Sequence, residues 1–150
     1  GKTSLLYAIL NEMTPEPMRN PSIKVFGSIA FAPQKPWIMA GTVRENILFF
    51  NNTTSRNLRK QFIMPVFKMI SNFLPMVLTH KLGKGVNLSG GQKARISLAR
   101  TLYADKDIYV LDDILSAVDV NVGKFLMEKT VMGYLRNKTV IMPTHAVKYL

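Results

Sequence analysis

The sequence predicts an α/β fold built on a parallel β-sheet. Residues 107–112 (DIYVLD) form a continuous apolar run, which is typical of a central parallel strand covered on both faces. A segment with helical character (120–136) and a further strand-like run (138–145) follow it. Strand, helix and strand joined by short loops form a parallel crossover unit, and this order defines the class.

The other elements follow from local signals along the chain. Residues 3–13 place apolar side chains at helical spacing, and residues 24–34 (KVFGSIAFAPQ) predict one or two strand segments that end at Pro33. Thr42 and Glu45 match a capping box that opens a short helix. Residues 89–104 predict a glycine turn that leads into a helix with apolar side chains on all sides: Ala94, Ile96, Leu98, Ala99 and Leu102.

Residues 55–80 predict a helical region that is broken by Pro65 and Pro75. The most apolar stretch of the chain, residues 61–78, lies inside it. Because polar residues and both prolines interrupt this stretch, we expect no transmembrane segment there.

Composition restricts the class of protein. The chain has 150 residues and begins with Gly rather than Met, so we expect one domain or a fragment of one. It has no cysteine, which excludes disulfides and thiolate metal sites. Twenty Lys and Arg against nine Asp and Glu give a net charge of +11, which allows an anionic partner, although cations spread over solvated faces would give the same value. Because no compact basic cluster with interleaved aromatics occurs, we expect no nucleic-acid binding.

Residues 1–4 (GKTS) open the first predicted helix and match the end of a phosphate-binding loop, G-x-x-x-x-G-K-[ST]. In such a loop the amides at the helix N-terminus cradle phosphates, the lysine reaches the terminal phosphates and the hydroxyl binds Mg²⁺. Taken alone, four residues are a weak signal, because an ordinary loop can carry them by chance.

Residues 88–92 (LSGGQ) are more specific, because they resemble the signature sequence of ABC transporter ATPase domains. Ser89 offers a hydroxyl, and Gly90 and Gly91 let the backbone approach an anion closely at a helix N-terminus. A glycine turn that only caps a core helix is the alternative. The order of GKTS, LSGGQ and the acidic strand along the chain favours the family.

The resemblance implies a P-loop NTPase (RecA-like) fold: a parallel-sheet core with an inserted helical subdomain, here truncated at its N-terminus. Residues 1–49 and 105–150 would form the core of a partial ATP-binding domain. Residues from about 50 to 104 would form the helical subdomain that carries the signature motif.

The resemblance also implies roles for individual residues, with ATP and Mg²⁺ as cofactors. Asp113, His145 and Gln34 would be catalytic, and Thr3, Gln34 and Asp112 would hold the metal. His145 is preferred to His80 because it follows the last strand, although Pro143 within that strand would remove a ladder hydrogen bond. The residues expected to bind ATP are Gly1, Lys2, Thr3, Ser4, Gln34, Ser89, Gly90, Gly91, Gln92 and His145.

Two longer stretches, residues 37–49 (WIMAGTVRENILF) and 85–119, are similar to the multidrug-resistance-associated, or C, subfamily. Its first nucleotide-binding domain commonly has Asp where the catalytic Glu is expected, as at Asp113. Aspartate and glutamate are both ionised at neutral pH, so they differ here in the reach of the side chain. A displacement of about 1 Å can cost on the order of 10²-fold in rate. We therefore expect this site to bind ATP and to hydrolyse it slowly.

The family further implies an ATPase domain at the cytoplasmic face of a membrane protein that exports a solute. Its partners would be a second nucleotide-binding domain, paired head to tail, and the transmembrane domains. We expect the isolated fragment to be inactive. Two alternatives stay open: a non-catalytic, nucleotide-gated regulatory domain, which Asp113 and Pro143 favour, and a soluble ABC-type ATPase acting on nucleic acid, which the basic charge allows.

Overall fold

The computed structural model describes residues 1–14, 23–49, 81–82, 88–116 and 118–146. The predictions made for residues 55–80, including the absence of a membrane segment over 61–78, lie outside these ranges. Within them, no helix has both the length and the apolar character needed to cross a membrane. The described elements are α1 (Lys2–Ile9), β1 (Ile29–Ala32), β2 (Gly41–Thr42), α2 (Val43–Leu48), β3 (Lys81–Leu82), α3 (Gly90–Tyr103), β4 (Ile108–Leu111), α4 (Val120–Phe125), a π-helix (Leu126–Tyr134) and β5 (Thr139–Ile141).

A parallel sheet in the order β1–β4–β5 forms the centre of the described fold. All four residues of β4 are buried, as expected for a strand with neighbours on both edges and helices on its faces. The register pairs Ile108 with Ile29 on one side and with Thr139 on the other. The α/β class, the central strand and the parallel crossover are therefore confirmed.

Both helices that begin at a capping box do so through reciprocal side-chain bonds. At α2, the Glu45 amide donates to Thr42 Oγ1 over 3.0 Å, and the Thr42 amide donates to the Glu45 carboxylate over 2.6 Å. At α3, the Gln92 amide donates to Ser89 Oγ over 3.2 Å, and the Ser89 amide donates to Gln92 Oε1 over 2.9 Å. The capping box predicted at Thr42 is confirmed, and Ser89 with Gln92 forms a second one.

Helix α3 is surrounded by the core over its second half. Every residue from Ile96 to Tyr103 is buried, and the helix packs on α2 and β1. Four of the five predicted apolar positions are buried, and Ala94 is half-buried near the helix start. The helix thus fixes the short α2 against the sheet.

Two helices depart from the prediction in length or type. Helix α1 ends at Ile9 rather than near residue 13, because Asn11 has a left-handed backbone (φ 59°), which asparagine tolerates better than most residues. The helix predicted over 120–136 is α-helical only to Phe125, and its remainder is a π-helix. Within it, the Leu135 amide donates to the Thr130 carbonyl over 2.8 Å.

The expectation for Pro143 is wrong. Strand β5 ends at Ile141 and lies at the edge of the described three-stranded sheet, so Pro143 follows the strand instead of interrupting it. Its carbonyl accepts a hydrogen bond from the Asp113 amide over 3.2 Å. The missing amide of proline therefore leaves this pairing intact, and the chain continues toward His145 beside β4.

Candidate functional site

The carboxyl ends of the parallel strands meet at one edge of the sheet, and the polar residues predicted for the site lie there. Gln34 follows β1, Asp112 and Asp113 follow β4, and His145 follows β5. In an open α/β sheet this edge is the usual location of a ligand site.

The start of α1 reaches the same edge. Thr3 Oγ1 donates to Asp112 Oδ1 over 3.5 Å, and Asp112 is only 4% exposed. The Asp112 amide donates to the Ala32 carbonyl over 2.9 Å, so its backbone extends the pairing of β4 with β1. Gly1, the N-cap of α1, and Ser4, in its first turn, are exposed.

Lys2 and His145 are in contact across this edge. Lys2 Nζ lies 3.2 Å from His145 Nδ1 and 3.1 Å from Nε2, and the contact is exposed to solvent. A lysine ammonium only donates, and the role of each imidazole nitrogen depends on the tautomer of His145. Two groups able to bind an anionic oxygen therefore lie next to each other.

Asp113 is the most connected acid of the site. Its carboxylate accepts from Gln34 Nε2 over 3.3 Å, from Thr144 Oγ1 over 3.5 Å and from the His145 amide over 3.4 Å. Its backbone is left-handed (φ 46°), a conformation that aspartate adopts more readily than most residues. Asp113 is 8% exposed and links the chain segments that follow β1 and β5.

The carboxylates at this edge of the sheet could bind a hard divalent cation together with the phosphates of a bound substrate. Among the described residues no group of three or more His, Asp or Glu side chains could hold a metal alone. Mg²⁺ does not need such a cage, because it keeps several waters and is bound by one or two carboxylates together with substrate phosphates. The Thr3 hydroxyl and the Asp112 carboxylate, in contact at 3.5 Å, fit this pattern.

The predicted signature residues form a separate feature at the start of α3. Ser89 and Gly90 are exposed, Gly91 and Gln92 are half-buried, and the described side-chain bonds of Ser89 and Gln92 join these two residues to each other. A Cβ built on Gly90 would meet no atom within 4 Å. Within the described part of the chain, no hydrogen bond links this feature to Lys2, Asp113 or His145.

Gly90 is thus a glycine that the local packing does not require. A glycine at a position where a side chain would fit leaves room for a ligand or another backbone to approach closely. Thr144 is a neighbour of Asp113 that the sequence did not predict. Thr144 directly precedes the predicted His145 in the sequence, and this was the available signal. Its contact with Asp113 depends on the path of the backbone after β5.

The family model described as ABC transporter matches residues 1–116. Over 100% of the chain, identity is 42% to ABC transporter C family member 9 of Arabidopsis thaliana and 43% to ATP-binding cassette sub-family C member 2 of Mus musculus. Identity to multidrug resistance protein mrp-7 of Caenorhabditis elegans is 44% over 99% of the chain. The chain spans about 10% of the length of each of these relatives.

Proposed function

We propose that this chain, which belongs to the ABC transporter family, serves as an ATP-binding domain of a C-family membrane transporter. The observation that carries the proposal is the convergence of Lys2, Thr3, Asp112, Asp113 and His145 at the carboxyl edge of a parallel sheet. A lysine, a hydroxyl and acids at that edge are the groups that nucleoside triphosphates with Mg²⁺ require.

Each residue would act at its own part of the nucleotide. Lys2 would neutralise charge on the terminal phosphate oxygens, and His145, whose Nδ1 lies 3.2 Å from Lys2 Nζ, would donate a hydrogen bond to them. The amides of the first turn of α1, from Gly1 to Ser4, would cradle the phosphates. Thr3, Asp112 and Gln34 would hold the Mg²⁺ shell, and the bound metal would neutralise charge on the phosphates during phosphoryl transfer.

Asp113 would orient the attacking water from a constrained position. Its two carboxylate oxygens accept hydrogen bonds from Gln34, Thr144 and the His145 amide. A base must reach its water within hydrogen-bond distance, and a short side chain held by three donors reaches poorly. We propose that this site binds ATP and turns it over slowly.

The signature residues would act on a different nucleotide. Ser89 and Gly90 are exposed at the start of α3, and Gly90 leaves space for an anion. In a head-to-tail pair of domains, Ser89–Gln92 would complete the site of the second domain, and α3 would direct its positive end at that phosphate. The transmembrane domains of the same protein would convert closure of the pair into solute export, with this domain at the cytoplasmic face of the membrane.

A non-catalytic, nucleotide-gated role is the second candidate. The engagement of Asp113 by Gln34 and the segment after β5 favours it, because such a carboxylate can join elements without accepting a proton. The two candidates share nucleotide binding and differ only in turnover.

Nucleotide binding is tested directly with a fluorescent ATP analogue and Mg²⁺. We expect Lys2→Ala to weaken binding at least about tenfold, because hydrogen bonds to charged groups contribute about 1.5–3 kcal/mol. Lys124→Ala is the matched control, since this lysine is 73% exposed in a helix-surface pair with Glu128. Equal affinity of the wild type and Lys2→Ala would contradict the proposal.

A further inference from the structure

Arg100 is a buried cation on the helix that begins at the signature residues. It is 9% exposed and lies on α3, which starts at Gly90. Its distance along the helix from Ser89 is about three turns, or about 16 Å. Burial lowers the pKa of Arg100 by desolvation, although arginine stays charged at neutral pH.

The guanidinium contacts both ends of one segment, residues 37–49, called here the Trp37–Phe49 segment. Nε donates to the Asn46 carbonyl over 2.7 Å, Nη2 donates to Asn46 Oδ1 over 3.1 Å, and Nη1 donates to the Trp37 carbonyl over 3.3 Å. The guanidinium carbon lies 3.8 Å from the centre of the Trp37 ring and 5.3 Å from that of Phe49. The two rings meet edge to face at 5.1 Å.

The Trp37–Phe49 segment is itself closed by Asn46, which is fully buried. Its side-chain amide donates to the Met39 and Thr42 carbonyls over 3.0 Å each, and its oxygen accepts from the Met39 amide over 2.8 Å. Arg100 therefore contacts a segment that the hydrogen bonds of Asn46 already hold together. Displacement of α3 would therefore displace the Trp37–Phe49 segment as a unit.

An arginine is a costly way to pack a helix. A buried cation loses hydration, and a protein with an apolar side chain of similar volume at that position is often at least as stable. The contacts of Arg100 use properties that lysine lacks: a planar fork of donors for Asn46 and a flat face for Trp37. They give a defined position to the segment that begins three residues after Gln34.

We propose that Arg100 is a positioning residue that makes the Trp37–Phe49 segment and α3 move as one body when nucleotide binds. The proposal deepens the function proposed above and depends on it for the nucleotide. Arg100 touches neither the proposed phosphate site nor the signature residues in the described structure; it acts on Trp37 and Asn46.

Trp37 is the single tryptophan of these 150 residues, so its fluorescence reports on the segment directly once any tryptophan outside them is replaced by phenylalanine. We expect Arg100→Lys to shift Trp37 emission to the red and to raise acrylamide quenching about twofold, because the stacked guanidinium no longer covers the ring. Arg44→Lys, at an exposed position of α2, is the control and should leave quenching unchanged. Unchanged quenching in Arg100→Lys overturns the proposal.

The second readout is the response to ATP with Mg²⁺. Wild type and Arg44→Lys should change Trp37 emission on saturation, whereas Arg100→Lys should bind the fluorescent ATP analogue within about twofold of wild-type affinity and lose most of the emission change. A full change in Arg100→Lys, or none in a wild type that binds nucleotide, overturns the proposal. A merely structural role of Arg100 would lower thermal stability without separating binding from the response.

A failure of the proposed function would look different. A wild type that binds no nucleotide contradicts that function, while quenching in the absence of nucleotide still decides whether Arg100 positions Trp37. If Arg100→Lys does not fold, Arg100→Gln replaces it, because glutamine keeps one donor group and buries no charge. The same quenching and emission outcomes are then expected.

Discussion

The Asp113 carboxylate accepts a hydrogen bond from the Gln34 side-chain amide over 3.3 Å. This contact joins the residues that follow β1 and β4, which are neighbouring parallel strands. Because Asp113 is buried and Gln34 is exposed, the pair connects the solvent-facing segment after β1 to the interior of the site. The proposed metal site lies at the same edge.

Gln34→Glu tests the electrostatics of this pair. Replacing the donor with a second carboxylate should lower the free energy of unfolding by about 1–3 kcal/mol, because the buried acceptor loses its partner and faces a like charge. Mg²⁺ should recover part of this loss by binding between the two acids. The measurement is urea unfolding with and without Mg²⁺, with Gln34→Ala as the control, which keeps Thr3 and Asp112 but lacks the second acid and should gain less from the metal. Equal Mg²⁺ responses of the two variants would argue against a cation bound between position 34 and Asp113.

Two glycines distinguish backbone requirements from ligand requirements. Gly41 has φ 135°, and an added Cβ would lie 2.6 Å from the Glu45 carboxylate, so Gly41→Ala should destabilise the chain by about 1–3 kcal/mol. Gly90→Ala should leave stability unchanged or raise it by up to about 1 kcal/mol, since alanine suits a helix better and nothing lies within 4 Å.

Despite its stability, Gly90→Ala should reduce ATP turnover at the partner domain's site, where the methyl group would occupy space needed by the phosphate. Thermal unfolding and phosphate release, measured on the same preparations, check both expectations. A stable Gly90→Ala variant with unaltered turnover in the paired domains would indicate that Gly90 contacts no nucleotide.

Asp107 gives the chain a pH-dependent contribution to stability. The Ser28 amide and hydroxyl donate to its carboxylate over 2.8 and 2.7 Å, and these bonds lower the pKa of Asp107. The unfolded chain takes up this proton first, near the usual value of about 3.9. The contribution is therefore complete above that pH and is lost as pH falls through the lower folded-state pKa.

Asp107→Asn should accordingly be less stable than wild type at pH 5–7, and the difference should shrink below about pH 4. Urea midpoints at several pH values measure this difference. Glu128→Gln, which alters an exposed pair with Lys124, should change stability little at any of them. A difference for Asp107→Asn that is as large at pH 3 as at pH 7 would exclude the carboxylate as its source.

Local patterns predicted the elements well where one short-range rule determines the structure. The buried run that became β4 and the capping box at Thr42 depend on neighbouring residues alone. The family resemblance implied that Gln34, Asp113 and His145 belong to one site, and the contacts of Asp113 with Gln34 and His145 were not predicted separately.

Features set by tertiary contacts were not predictable in the same way. The left-handed backbone of Asp113 depends on its position between β4 and Pro143, and the π-helix carries no signal in its composition. The helical pattern alone does not distinguish Arg100 from an exposed polar residue. Its place inside the largely apolar run ISLARTL was the one sequence signal of its burial. Its role appears only when α3 packs beside Trp37.

We propose that the site formed by Lys2, Thr3, Asp112 and Asp113 binds ATP and hydrolyses it slowly because Asp113 reaches its water poorly. The direct measurement is phosphate release from this site, in the protein paired with its partner domain, for wild type and Asp113→Glu. Asp113→Glu should raise turnover by about 10-fold or more, since a correction of about 1 Å can change rates on the order of 10²-fold. It should also cost some stability at a left-handed position (φ 46°). Fast release in wild type, or no rise in Asp113→Glu with ATP binding intact, would contradict the claim.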